Sequence, residues 1–95
     1  MSAALTGSVA AEIEQRLRAV LAPTRLAVIN DSAKHRGHMG DDGSGESQFT
    51  VEIEAPQFAA MTRLARQRAV NAALGDLMRD RIHALAIRAS APGEA

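Results

Sequence analysis

The sequence predicts a small α/β (α+β) domain of order α–β–β–α–β, and three observations carry that reading. Val9, Ile13, Leu17, Val20 and Leu21 recur at helical spacing between Ser8 and Pro23. Phe49, Val51 and Ile53 alternate with Thr50, Glu52 and Glu54, the pattern of a strand with one buried and one wet face. A second helical stretch, Thr62 to Arg81, then separates this strand from another apolar run, Ile82–Ser90. A helix between two strands is a crossover, which makes the last two strands parallel and the connection right-handed. The expected result is a three-stranded mixed sheet with both helices packed on one face.

Each element has its own local cause. Residues 1–7 read as a flexible tail and residues 8–92 as a single domain. Ser8 caps the first helix, which runs to about Ala22, where Pro23 stops it. "RLAVIN", Arg25–Asn30, is short and branched and reads as a strand, with Leu26, Val28 and Asn30 on one face. Its antiparallel neighbour is Gln48–Ala55, ended by Pro56. Phe58 and Met61 anchor the turn that follows. Thr62 is the candidate cap of the second helix. Leu64, Ala65, Ala69, Ala72, Ala73, Leu77 and Met78 are placed on its buried side, and Gly75 is where a break is expected.

Composition narrows the function. At 95 residues the chain holds one modest core. Two Phe, no Tyr and no Trp leave that core to aliphatic side chains and remove stacking platforms for bases. The formal net charge is zero, so no global field draws in nucleic acid or membrane. No cysteine is present, which excludes disulfides, a thiolate nucleophile and a cluster held by the chain's own thiolates. The N-terminus has neither a basic region nor a long apolar run, so a cytoplasmic protein without a membrane span is expected. Nucleophile–base pairs, paired carboxylates and phosphate-binding loops are absent as motifs, and a non-enzyme is expected.

The stretch "NDSAKHRGHMGDDGSGESQF", Asn30–Phe49, is the unusual one. It carries His35 and His38 of the three histidines and almost no apolar side chain. Long loops inside small domains are commonly functional or disordered. The expected topology gives this one a neighbour. Parallel strands begin at the same sheet edge, the second strand begins where the loop ends, and the third begins near His83. His83 is therefore expected beside the loop that bears His35 and His38, about fifty residues away in sequence.

In combination, "VINDSAKHRGH", "SQFTVEI", "RLARQR" and "IHALAI…AP" resemble the BolA family, over about Leu26–Pro92. The resemblance implies a class II KH-like fold. It also implies a partner, a monothiol glutaredoxin with glutathione, with which the chain shares a [2Fe–2S] cluster in iron–sulfur trafficking and iron homeostasis. Some bacterial members are DNA-binding transcriptional regulators of morphology and stress, which supplies the alternative function. By the same resemblance the cluster ligands are His83, in "HAL", and His35, which follows "NDS" after two residues. His38 is the alternative to His35. Three departures stand out. Arg66-Gln67-Arg68 replaces the usual Arg-His-Arg, Gln48 stands where a histidine often precedes the Phe, and the loop is longer.

The chemistry agrees with a chain that completes a site begun elsewhere. Histidine can replace thiolate on one iron of a cluster. A chain without cysteine offers only imidazoles, so the thiolates belong to the partner and to glutathione. A mononuclear zinc centre would instead require His35, His38 and His83 to converge within ~2.1 Å of one metal. "GHMG", Gly37–Gly40, has the spacing of the KH G-x-x-G loop, but it joins strands where KH domains join helices. Arg63, Arg66 and Arg68, early in the second helix, are the candidate contacts to phosphate or to a partner carboxylate. The isolated chain is expected to be a monomer or a weak homodimer.

Overall fold

The computed structural model describes residues 8–31 and 47–94. In order these form α1 (Val9–Leu21), β1 (Arg25–Asn30), β2 (Gln48–Glu54), a 3-10 turn (Pro56–Ala60), α2 (Arg63–Leu74), α3 (Asp76–Asp80) and β3 (Ala84–Ser90). The sheet order is β1-β2-β3. β1 runs antiparallel to β2, with Val28 opposite Val51, and β2 runs parallel to β3, with Val51 opposite Ile87. This is the mixed three-stranded sheet that the order of elements predicts.

Caps fix the helix ends. The Ser8 hydroxyl accepts from the Ala11 N–H at 2.9 Å, and the Thr62 hydroxyl accepts from the Ala65 N–H at 3.0 Å. Both satisfy an N–H that the first turn leaves without a helical acceptor. α1 ends at Ala22, which adopts the left-handed conformation with φ 47°. The Gln57 side-chain amide donates to the last α1 carbonyl, that of Leu21, at 2.7 Å. Gly75, with φ 55° and ψ −126°, divides the second helical stretch into α2 and α3, at the residue where a break is expected. Only glycine takes this backbone conformation readily. Arg16 of α1 locks the break by donating to the Leu74 carbonyl at 2.8 Å and to Asp76 at 2.6 Å.

The core lies between one sheet face and the helices. Phe49, Val51 and Ile53 of β2 are buried, as are Val9, Ile13, Leu17 and Leu21 of α1, Phe58, and Val70, Leu74 and Leu77. The buried side of the second helical stretch agrees with the sequence reading at Ala69, Ala73, Leu77 and Met78, which lie in or against the core, and differs elsewhere. Leu64 is 56% exposed and Ala72 is exposed, whereas Val70 and Leu74 are fully buried. The reason is rotational phase. The inward positions are Arg66, Val70, Leu74 and, past the break, Leu77, and a stripe that begins with an arginine does not look apolar. Val20 of α1 is likewise exposed rather than buried. β3 begins two residues later than read, because Ile82 turns into the core at 4% exposure before the strand starts.

Candidate functional site

Three chain segments meet at the end of the sheet where β2 and β3 begin. The Asp31 N–H donates to the Gln48 carbonyl at 2.7 Å, extending the β1–β2 ladder by one step. The Ser47 carbonyl accepts from the N–H groups of His83 at 2.7 Å and Ala84 at 3.3 Å, extending the β2–β3 ladder the same way. The Thr50 hydroxyl donates to the Asp31 carboxylate and fixes that side chain against β2. Asp31 and Ser47 are the described residues that flank the 32–46 segment. Both stems of that segment are therefore hydrogen-bonded into the edge that carries His83.

Burial separates scaffold from site at this edge. Ser47 and Gln48 are buried, at 0% and 7% exposure, while the His83 side chain is exposed. The backbone of His83 is thus held by the sheet while the residue is exposed. His35, His38, Gly37 and Gly40 lie outside the described residues. Among the described residues no group of three His, Cys, Asp or Glu side chains converges on one point. One exposed histidine on a backbone held by the sheet suits a ligand site completed by other groups. By itself it holds neither a metal nor a cluster.

The arginines divide sharply. Arg63 and Arg68 are exposed. The Arg66 side chain is only 14% exposed and faces inward. Its guanidinium donates to the carbonyls of Phe58 (3.0 Å), Met61 (3.2 Å) and Ala89 (3.2 Å) and to both carboxylate oxygens of Glu94 (2.7 and 2.8 Å). It also lies 5.9 Å from the centre of the Phe58 ring. Paired forks of this kind are strong and geometrically specific. The hydrogen bonds from Arg66, together with the Ala91 N–H, hold the Glu94 carboxyl down to about 2. Glu94 in turn raises the Arg66 guanidinium above its usual range. Of the three arginines singled out in the sequence, Arg66 is spent internally, tying α2 to the end of β3. The i, i+4, i+8 spacing of Arg66, Val70 and Leu74 was the available signal for its inward position.

No helix among the described residues is long and apolar enough to cross a membrane. A family profile described as BolA-like protein matches residues 17–94. An uncharacterized protein from Sinorhizobium sp. is 47% identical over 83 residues, covering 86% of this chain and 89% of the relative. The DNA-binding transcriptional regulator BolA of Vibrio cholerae is 40% identical, covering 79% of this chain and 67% of the relative. Among solved structures, the BolA domain of SufE1 from Arabidopsis thaliana superposes with a TM-score of 0.82 at 31% identity, covering 94% of this chain and 98% of that one. The SufE-like protein 1 of that plant is far longer, and the aligned region covers 25% of it. A family match over most of the chain, joined to the same fold in a relative above 30% identity, places this chain in the BolA family.

Proposed function

We propose that this chain is a non-enzymatic partner of a monothiol glutaredoxin, sharing a [2Fe–2S] cluster with it and with glutathione. His83 and His35 are the proposed ligands, with His38 as the alternative to His35. The observation that carries the reading is the exposed His83 imidazole on a backbone pinned to Ser47, beside both stems of the segment that bears the other two histidines. The cluster would supply electron storage and a transferable iron–sulfur unit. His83 would contribute a neutral imidazole nitrogen at a fixed position, and the sheet would hold it there without reorganisation. The occurrence of a BolA domain within a SufE-like protein adds an iron–sulfur context.

The second reading is a DNA-binding transcriptional regulator. The name of the Vibrio cholerae relative favours it, and Arg63 and Arg68 would be the phosphate contacts. Salt separates the two readings. Phosphate binding by arginines falls steeply with ionic strength because counterions are released, and it is indifferent to His83. In the test, the chain is titrated anaerobically into a cluster-loaded, glutathione-bound monothiol glutaredoxin and followed by visible circular dichroism. A new spectrum at stoichiometric protein is expected. An unchanged glutaredoxin spectrum at large excess, together with salt-sensitive binding to duplex DNA, would reverse the order of the two readings.

A further inference from the structure

A groove of about 460 Å³ runs between the first turn of α2 and the last residues of β3. It falls within the size range of sites that bury a ligand, roughly 300–1,000 Å³. Arg63 and Arg66 line one wall, and Ile87, Arg88 and Ala89 line the other. Among the described residues no acidic side chain lines it. β3 is an edge strand, with β2 on one side and no strand beyond it among the described residues.

The hydrogen-bond parity of β3 shows what the groove contains. Ala84 donates its N–H to Ser47 and Ser90 offers its carbonyl to Ala55, so the even-numbered residues face β2. Backbone groups alternate along a strand, so those of Ile87 and Ala89 face outward. The Ala89 carbonyl confirms this by accepting from Arg66. The N–H and C=O of Ile87 and the N–H of Ala89 therefore line the groove, alternating donor and acceptor at strand spacing.

We propose that the outer edge of β3 at Ile87–Ala89, with Arg63 beside it, binds an extended acidic segment of a partner protein by strand addition. Alternating donors and acceptors are what another peptide backbone satisfies, and they suit main-chain pairing with side-chain specificity. The charge selects the partner. Arg66 is matched by Glu94, and exposed Arg88 lies 3.6 Å from Glu52, so among the described residues Arg63 is the cation left facing the groove. A second copy of this chain is disfavoured, because pairing β3 with β3 would bring Arg63 and Arg88 toward their own equivalents. A nucleic acid is disfavoured because its phosphates would meet the Ile87 carbonyl. Along β3 this edge lies roughly 13–20 Å from His83, at ~3.3 Å per residue. The surface is therefore separate from the histidine edge, and neither reading depends on the other.

The test is fluorescence anisotropy of a labelled hexapeptide alternating valine and glutamate, titrated with the full chain. Saturable binding is expected. It should weaken about tenfold with Arg63→Glu, which changes an exposed residue, and be lost when the peptide amides are N-methylated. Ala89→Pro removes an outward N–H without touching the β2 ladder and is expected to abolish binding, with folding checked by far-ultraviolet circular dichroism. No saturation below about 1 mM protein, or equal affinity for the N-methylated peptide, would overturn the proposal. So would an Arg63→Glu-sensitive preference for a single-stranded oligonucleotide over the peptide.

Discussion

Leu64 and Leu74 belong to one helix, and replacing each by alanine separates two accounts of how that helix packs. Leu74 is completely buried, whereas Leu64 is 56% exposed. Truncating Leu74 removes three carbons from the core, at ~0.8 kcal/mol each from lost burial alone. The cavity left behind brings the expected cost to about 3–4 kcal/mol. Leu64→Ala loses only part of a half-exposed side chain, so no more than about 1 kcal/mol is expected. Helix propensity favours alanine slightly in both cases and cancels in the comparison. Urea unfolding at neutral pH is the assay. With a slope of about 1.5 kcal/mol per molar, Leu74→Ala should lower the midpoint by ~2 M and Leu64→Ala by well under 1 M. Equal shifts, or a larger one for Leu64→Ala, would refute the rotational phase assigned to α2 and with it the inward position of Arg66.

Other outcomes follow from single contacts. Glu94 is held at about 2 by Arg66 and the Ala91 N–H, below the ordinary glutamate value near ~4.3. Its stabilising contribution is present above the unfolded value and is lost as pH falls toward 2. Glu94→Gln should therefore melt below the parent at pH 7, with the gap closing between about pH 4.5 and pH 2. Gly75→Ala should cost about 1–3 kcal/mol, because φ 55° with ψ −126° strains any residue with a Cβ. Ala22→Gly should do the reverse, adding about 0.5–1 kcal/mol at a left-handed helix end, measured by the same unfolding curves. Ser8→Ala and Thr62→Ala should each cost ~1 kcal/mol through the lost caps.

The parts legible in the sequence were those written in periodicity and local chemistry. Phe49, Val51 and Ile53 announced the central strand. Ser8, Pro23, Thr62 and Gly75 marked helix ends that the structure has at those places. A helix between two parallel strands, a right-handed crossover, is enough to place His83 at the start of β2, where its N–H meets the Ser47 carbonyl. The less legible parts depend on side chains doing something other than their type suggests. Arg66 reads as a surface cation, yet it sits on the inward stripe because three carbonyls and Glu94 await it there. Reading it as a surface cation leaves out Val70 and Leu74 and admits Leu64 and Ala72, whereas Ala69, Ala73, Leu77 and Met78 do pack into or against the core. Ala22 gave no warning of a left-handed conformation, since alanine is an unusual choice for it. The outward backbone of Ile87 and Ala89 is a consequence of register, which no local pattern encodes.

The most direct test of the central claim is the visible circular dichroism of the mixed cluster complex, recorded anaerobically for the parent chain, His83→Ala, His35→Ala and His38→Ala. His83 is exposed and its N–H reaches the Ser47 carbonyl whatever side chain it carries, so His83→Ala should keep the parent's stability within about 0.5 kcal/mol. The account expects the heteromeric spectrum to vanish with His83→Ala, to vanish or shift with His35→Ala, and to persist with His38→Ala. A spectrum unchanged by His83→Ala in a fully folded variant would contradict it.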